Sequence, residues 1–143
     1  MRRVLVPVDG SDCSLRAVDY VVGDRARCAT TDGYEVHLLN VQAPLPRDVT
    51  QFVGHAQVAD FHRAESERAL EPAEAALVKA GVPFTAHAEV GHLGETIAQR
   101  ADDLACDLIV MGAHGRGALA DLLLGSIATR VIHLARMPVL LVK

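Results

Sequence analysis

Short apolar runs and longer stretches of helical period alternate along the chain. Val4 to Val8 is the first run, and it reads as a buried strand. Asp9-Gly10 ends it, and Ser11 or Asp12 is placed to cap a helix. Leu15, Val18, Val22 and Ala26 then recur at helical spacing. Thr30 to Gly33 is polar turn sequence. Glu35 to Val41 is a second strand, interrupted in its apolar character only by His37 and Asn40. Ala43 to Gly54 holds Pro44 and Pro46 and no period, which predicts a loop. From about Ala56 to Ala80 the pattern is helical, through Val58, Phe61, Ala69, Ala73, Leu77 and Ala80. Pro72 lies inside that run and is expected to kink or split it, because proline removes a backbone donor and crowds the preceding turn. Gly81 and Pro83 end the segment.

Phe84 to Val90 alternates, with Phe84, Ala86, Ala88 and Val90 on one side and Thr85, His87 and Glu89 on the other. That pattern predicts a strand buried on one face, at a sheet edge. Ile97, Ala101 and Leu104 mark the next helix, ending near Cys106. The five residues Asp107 to Met111 are a further buried strand. It runs into a stretch containing Gly112, Gly115 and Gly117, and a helix carrying Ile127, Val131 and Leu134 opens at Ser126. Val139 to Val142 is the last strand. The order βαβαβαβαβ predicts an α/β fold, a parallel sheet covered by helices on both faces. No composition shift marks a second domain, so residues 1–143 are read as one.

The chemistry sits at the ends of two strands. A strand that breaks into glycines and then opens a helix lets the backbone approach an anion, with free N–H groups of the first helical turn pointing at it. Gly112-Ala113-His114-Gly115-Arg116-Gly117, with Gly125-Ser126 after it, has this form. The other end is Pro7-Val8-Asp9-Gly10-Ser11. In open parallel sheets ligands bind at the carboxyl ends of strands where the strand order reverses. If the first and fourth strands are neighbours, Asp9 faces the glycine stretch, an acceptor for an adenine amino group or a ribose hydroxyl. Arg116 and Ser126 would then hold phosphates, and Val41 would wall the base. A lone glycine is more often a turn residue, Ser126 alone an N-cap, and Arg116 a solvated charge; their concurrence on one strand–loop–helix frame favours phosphate. No Gly-Lys-Ser/Thr occurs, and GAHGRG is not the dinucleotide fingerprint GxGxxG.

Composition removes other classes. The net charge is −4 and aromatics are 3% with no Trp, which argues against a nucleic-acid partner. The three cysteines are widely spaced without a CxxC pair, as free thiols in a reducing cytoplasm would be. No apolar stretch has the length of a membrane span, so no membrane partner is expected. The seven histidines show no familiar metal-ligand spacing, and most are expected at the surface, with His114 in the glycine stretch the exception. No nucleophile–base pair can be assembled from spacing, so no catalytic residue is named.

These residues resemble the universal stress protein family along the whole chain. Val6-Pro7-Val8-Asp9-Gly10-Ser11 is similar to its first strand and turn, Asp107 to Gly112 to its fourth strand, and Pro138 to Val142 to its last. Gly112-x2-Gly115-x9-Gly125-Ser126 fits the signature of the branch that binds ATP. The resemblance implies an open five-stranded sheet, Rossmann-like, of order 3-2-1-4-5. It implies ATP, AMP or ADP as ligand, with Mg²⁺ or Mn²⁺ in company, and hydrolysis slow or absent. Carried over by position, the binding residues are Pro7, Val8, Asp9, Val41, Met111, Gly112, His114, Gly115, Arg116, Gly125, Ser126 and Ile127. It also implies a homodimer through the last strand. In that order Val139 to Val142 is an apolar edge, which invites pairing. The alternatives are a weak ATPase or self-phosphorylating enzyme, and a dimeric interaction protein that binds no nucleotide.

Overall fold

The computed structural model describes residues 2–28, 34–115 and 124–143. Five parallel strands form one sheet: β1 (Arg2–Pro7), β2 (Tyr34–Gln42), β3 (Phe84–Val90), β4 (Leu108–Gly112) and β5 (Val139–Val142). Their order is β3-β2-β1-β4-β5, the order expected. The helices are α1 (Asp12–Arg27), α2 (Arg47–Thr50), α3 (His55–Lys79), α4 (Leu93–Asp103) and α5 (Ser126–Leu134). Among the described residues no helix is long and apolar enough to cross a membrane.

Because side chains alternate along a strand, each run feeds two separate cores. Val4, Val6, Val36, Leu38 and Val110 face α1 and α3, while Leu5, Leu39, Ile109 and Met111 face α4 and α5. The central strands are buried on both faces: Val4, Leu5, Val6, Ile109 and Val110 are all at 0% exposure. Such double burial is why they read as unbroken apolar runs.

Four expectations need correction. The stretch from Ala43 to Gly54 contains a helical turn, α2, too short to show a period. α3 is one helix of 25 residues and is not split at Pro72. Pro72 is solvent-exposed, so the carbonyl of Arg68 that loses its donor can be hydrated instead of being buried unpaired. In α1 the buried stripe is Ser14, Ala17, Val18 and Val21; Leu15 and Val22 only flank it. In β3, which is an edge as expected, Ala86, Ala88 and Val90 are exposed, and the half-buried positions are Phe84, His87 and Glu89.

Candidate functional site

The sheet order reverses between β1 and β4, and their carboxyl ends part to opposite faces. β1 leads through Val8 and Asp9 into α1. Gly10 makes this turn possible with φ +82°, a left-handed conformation open to glycine without a Cβ penalty. The turn is tied down from several sides. The Val8 N–H donates to the Leu39 carbonyl at 2.8 Å. The buried amide of Asn40 donates to the Val8 carbonyl at 2.9 Å. Asp9 Oδ1 accepts from the Ser11 N–H at 2.9 Å, and Ser11 caps α1, its hydroxyl accepting from the Ser14 N–H. Asn40, which interrupts the apolar run of β2, is therefore an anchor for this turn.

On the other side β4 continues into Ala113, His114 and Gly115. A Cβ added at Gly112 would lie 2.8 Å from Cys13 Sγ and 3.0 Å from the Cys13 backbone carbonyl, so only glycine lets β4 pass this close to α1. A Cβ at Gly115 would come within 3.3 Å of Asp9 Oδ2, which sets the two turns against each other. The described chain resumes at Leu124. The Gly125 N–H donates to the Ala113 carbonyl at 2.8 Å, pinning the start of α5 beside the end of β4. Gly125, not Ser126, is the N-cap of α5, and no side-chain hydrogen bond caps this end. Ser126 is the first helical residue, so its hydroxyl is not the cap. The first-turn N–H groups of α5, with the positive end of its dipole, therefore have no capping side chain among the described residues.

Between these walls lies a cavity of about 270 Å³. Eleven of the twelve candidate residues line it: Pro7, Val8, Asp9, Val41, Met111, Gly112, His114, Gly115, Gly125, Ser126 and Ile127. The twelfth, Arg116, lies outside the described residues. One end is apolar, made by Val8, Leu39, Val41 and Met111 together with Leu93 and Ile97 of α4. The other end is the glycine strand and the start of α5. The sequence reading missed Ser14, Leu39, Leu93, Ile97, Ala113 and Ala128. Leu93 comes directly after the Gly91-His92 turn, so it too begins a helix at a strand's carboxyl end, the signal that could have found it.

A second, shallower cavity of about 250 Å³ adjoins the first, sharing Leu93, Ser126 and Ile127 with it. Its floor is the contact between α4 and α5, where Glu95 Oε1 lies 2.6 Å from Arg130 Nε. The hydrogen bond from Arg130 holds the Glu95 carboxyl below the usual carboxylate range. Gly94 sits under this pair, and a Cβ there would meet the Arg130 side chain at 2.5 Å.

Two histidines expected at the surface are buried, His37 and His62. His114 is half-buried, and its Nδ1 has no hydrogen-bond partner among the described residues. Among the described residues no group of three or more His, Cys, Asp or Glu is placed to hold a metal. In chemical terms the cavity offers an apolar slot, a carboxylate and an array of backbone donors.

The universal stress protein family model matches residues 1–143. A universal stress protein of Thermus aquaticus is 32% identical over 143 residues, covering 99% of this chain and 98% of the relative. Universal stress protein MJ0531 of Methanocaldococcus jannaschii is 30% identical over 148 residues, covering 99% of this chain and 82% of its own length. Among solved structures, the protein MJ0577 of the same organism superposes with a TM-score of 0.82 at 29% identity, covering 99% of this chain and 95% of that one. A universal stress protein in complex with cAMP superposes with a TM-score of 0.72 at 26% identity, covering 99% of this chain and 97% of that one.

Proposed function

The chain belongs to the universal stress protein family, and from that premise we propose that it is an adenine-nucleotide-binding regulatory module whose site is the cavity between β1 and β4. The observation that carries this reading is the cavity's two-ended chemistry. An apolar slot fits a base, and a glycine strand leading to an uncapped helix start fits phosphate. The similar structure in complex with cAMP supports an adenine nucleotide in particular.

In this reading the base lies against Val8, Val41, Met111, Leu93 and Ile97. Asp9 accepts from the base or the ribose. Gly112, His114, Gly115, Gly125, Ser126 and Ile127 surround the phosphates. Mg²⁺ or Mn²⁺ would arrive with ATP, since such ions commonly bind through phosphate oxygens and one or two carboxylates. Among the described residues, Asp9 is the only carboxylate lining the cavity. In this reading the protein's own groups bind and orient the nucleotide, and hydrolysis is slow or absent. The apolar edge Val139–Val142 is the surface through which we expect two copies to pair.

The test is calorimetric titration of nucleotide-stripped protein with ATP, AMP and GTP at pH 7.5. Binding of the adenine nucleotides in preference to GTP, lost in Gly115→Val, is the expected result. No heat at millimolar ATP with Mg²⁺ refutes the reading. Phosphate release measured in the same samples separates a binder from a weak ATPase, which would turn over and lose turnover in Ser126→Ala.

A further inference from the structure

Behind the apolar end of the cavity, on the face of the sheet covered by α4, runs a row of polar side chains that the nucleotide site does not use. His37 is buried at 5% exposure in the middle of β2. Its Nε2 is 2.7 Å from Glu35 Oε1, and its Nδ1 is 3.0 Å from His87 Nε2 on β3. His87 Nδ1 is in turn 3.4 Å from Arg100 Nη2 on α4. Arginine only donates and a carboxylate only accepts, so the ends of the row set its direction. Arg100 donates to His87 Nδ1, His87 Nε2–H donates to His37 Nδ1, and His37 Nε2–H donates to Glu35. This order is satisfied only while both imidazoles are neutral. A proton added to either acceptor nitrogen places two N–H donors face to face.

The surroundings act in the same direction. Arg3 of β1 lies 3.1 Å from Glu35 Oε2 and shares that carboxylate. Arg100 faces His87 directly, and Glu89 of β3, 3.3 Å from Arg100 Nε, offsets part of its charge. Burial first, then His37 and Arg100, hold the His87 imidazole below its ordinary value, and Glu89 opposes them. Cys106, between α4 and β4, stays a neutral thiol, pushed up to about 11 chiefly by burial.

The row is joined to the cavity through both of its elements. On β2, Leu39 and Val41 lie beyond His37 on the same face and line the apolar slot. On α4, Ile97 lies one turn before Arg100, and Leu93 one turn before that; both line the same slot. Arg100 therefore fastens this helix to β3, and through His87 and His37 to β2.

We propose that Glu35, His37, His87 and Arg100 form a proton-sensitive clamp on the nucleotide cavity, closed while both imidazoles are neutral and released when either gains a proton. The proposal rests on the nucleotide reading of that cavity. Linkage gives the sign. A histidine whose folded-state pKa is depressed contributes stability that is complete above its unfolded value, about 6.5, and is lost as pH falls through the folded one. On protonation, the repulsion between Arg100 and an imidazolium pushes α4, and with it Leu93 and Ile97, away from the sheet.

The test has two arms. In nucleotide-free protein, NMR titration of the imidazole C–H signals between pH 8 and pH 5 should show His87 titrating below the ordinary histidine value, with the His37 signals shifting in the same step because the two rings share a hydrogen bond. Titration of His87 at the ordinary value, without response at His37, overturns the clamp whatever the cavity binds. In the second arm, ATP affinity is measured at pH 7.5 and 5.5 in the wild type and in His87→Gln, whose amide offers one donor and one acceptor as the neutral ring does but does not titrate. A roughly tenfold greater weakening of the wild type, the effect of about one unit of linkage, is expected. Phosphate titration is common to both proteins and cancels. Equal pH dependence, with tight binding at pH 7.5, overturns the clamp and leaves the nucleotide site standing. Absence of ATP binding at pH 7.5 overturns both. Thermal melts at each pH confirm that the variant is folded, and His37→Gln serves the same comparison if it is not.

Discussion

Replacing Gly112 with alanine tests the closest approach in the site. The new Cβ would sit 2.8 Å from Cys13 Sγ and 3.0 Å from both the carbonyl carbon and oxygen of Cys13. Ordinary carbon contacts lie at about 3.5–4.0 Å, so the end of β4 and the first turn of α1 must part by roughly 0.5–1 Å. The thiol can turn aside, but the two backbone contacts cannot. α1 is held there by the Ser11 cap and by Asn40 through the Val8 carbonyl. Overpacking of this kind costs about 1–3 kcal/mol. Alanine returns about 0.4–1 kcal/mol by restricting the unfolded chain, which leaves a net loss of about 1–2 kcal/mol. At about 2.1 cal/mol/K per residue of unfolding entropy, the melting temperature should fall by roughly 3–7 °C. Scanning calorimetry at pH 7.5 measures this directly, and ATP affinity should fall with it because the Asp9 turn is displaced from the Gly115 strand. Adding Cys13→Ala should restore less than half of the loss, since the backbone contacts remain. A Gly112→Ala protein that melts at or above the wild-type temperature refutes the argument that this crossing is sterically closed.

Individual environments yield three more expected outcomes. Cys28 is half-buried whereas Cys13 and Cys106 are buried, so a thiol reagent at pH 8 should label one cysteine quickly in the native protein and three after denaturation; fast labelling of Cys106, held near 11, contradicts this. Burial, then the charge of Asp24 and the hydrogen bond donated to it, push the Tyr34 phenol well above its ordinary 10. The folded protein therefore keeps a proton that the unfolded chain releases, and the stabilisation present below pH 10 is lost as pH rises further; an ultraviolet titration compared with Tyr34→Phe should show no Tyr34 phenolate at pH 10.5. Pro72→Ala restores the donor to the Arg68 carbonyl inside α3 and should stabilise the protein by about 2–2.6 kcal/mol, the helix penalty of proline less its restriction of the unfolded chain; a lower urea midpoint contradicts it.

Much of the fold was legible because the dominant signal is local. An unbroken apolar run such as Val4 to Val8 or Leu108 to Met111 can be buried on both faces only in a sheet covered by helices on each side. The order 3-2-1-4-5 came with the family resemblance, and the sheet has it. What stayed illegible depends on pairing across elements. β3 alternates in the expected way, yet it is the polar His87 and Glu89 that are half-buried while Ala86 and Ala88 are exposed, because His87 reaches His37 and Arg100 reaches His87 and Glu89. No feature of residues 84–90 alone contains that information. His37 and Asn40 read as interruptions in β2, and their partners, His87 and the Val8 carbonyl, lie 50 and 32 residues away. The glycines and Asp9 of the cavity could be picked out because they break a local pattern. Ile97 could not, because it fits its own: on the helix it reads as core, and only the position of α4 beside the reversal turns that apolar face toward the cavity; Leu93 is marked only by its place at the helix start after β3.

The reversal between β1 and β4 explains why one small cavity draws on both cores. α1 leaves β1 toward the face it shares with α3, and α5 lies on the opposite face with α4. Val8 belongs to the first core; Leu39, Met111 and Ile97 belong to the second. A ligand in the crevice therefore touches side chains from two helical layers that otherwise meet only through the sheet. The turns that form the crevice are held by backbone contacts, Val8 N–H to Leu39 and Gly125 N–H to Ala113, which most side-chain changes leave intact. The apolar wall is different in kind. Leu93 and Ile97 are held in place by the packing of α4, and α4 is fastened at its far end by the polar row from Arg100 to Glu35. In the proposed reading the phosphate end is thus set by main-chain geometry and the base end by a helix whose attachment includes the His37 and His87 rings. On that reading, the base end is where the proposed clamp would let pH act on affinity without unmaking the glycine strand.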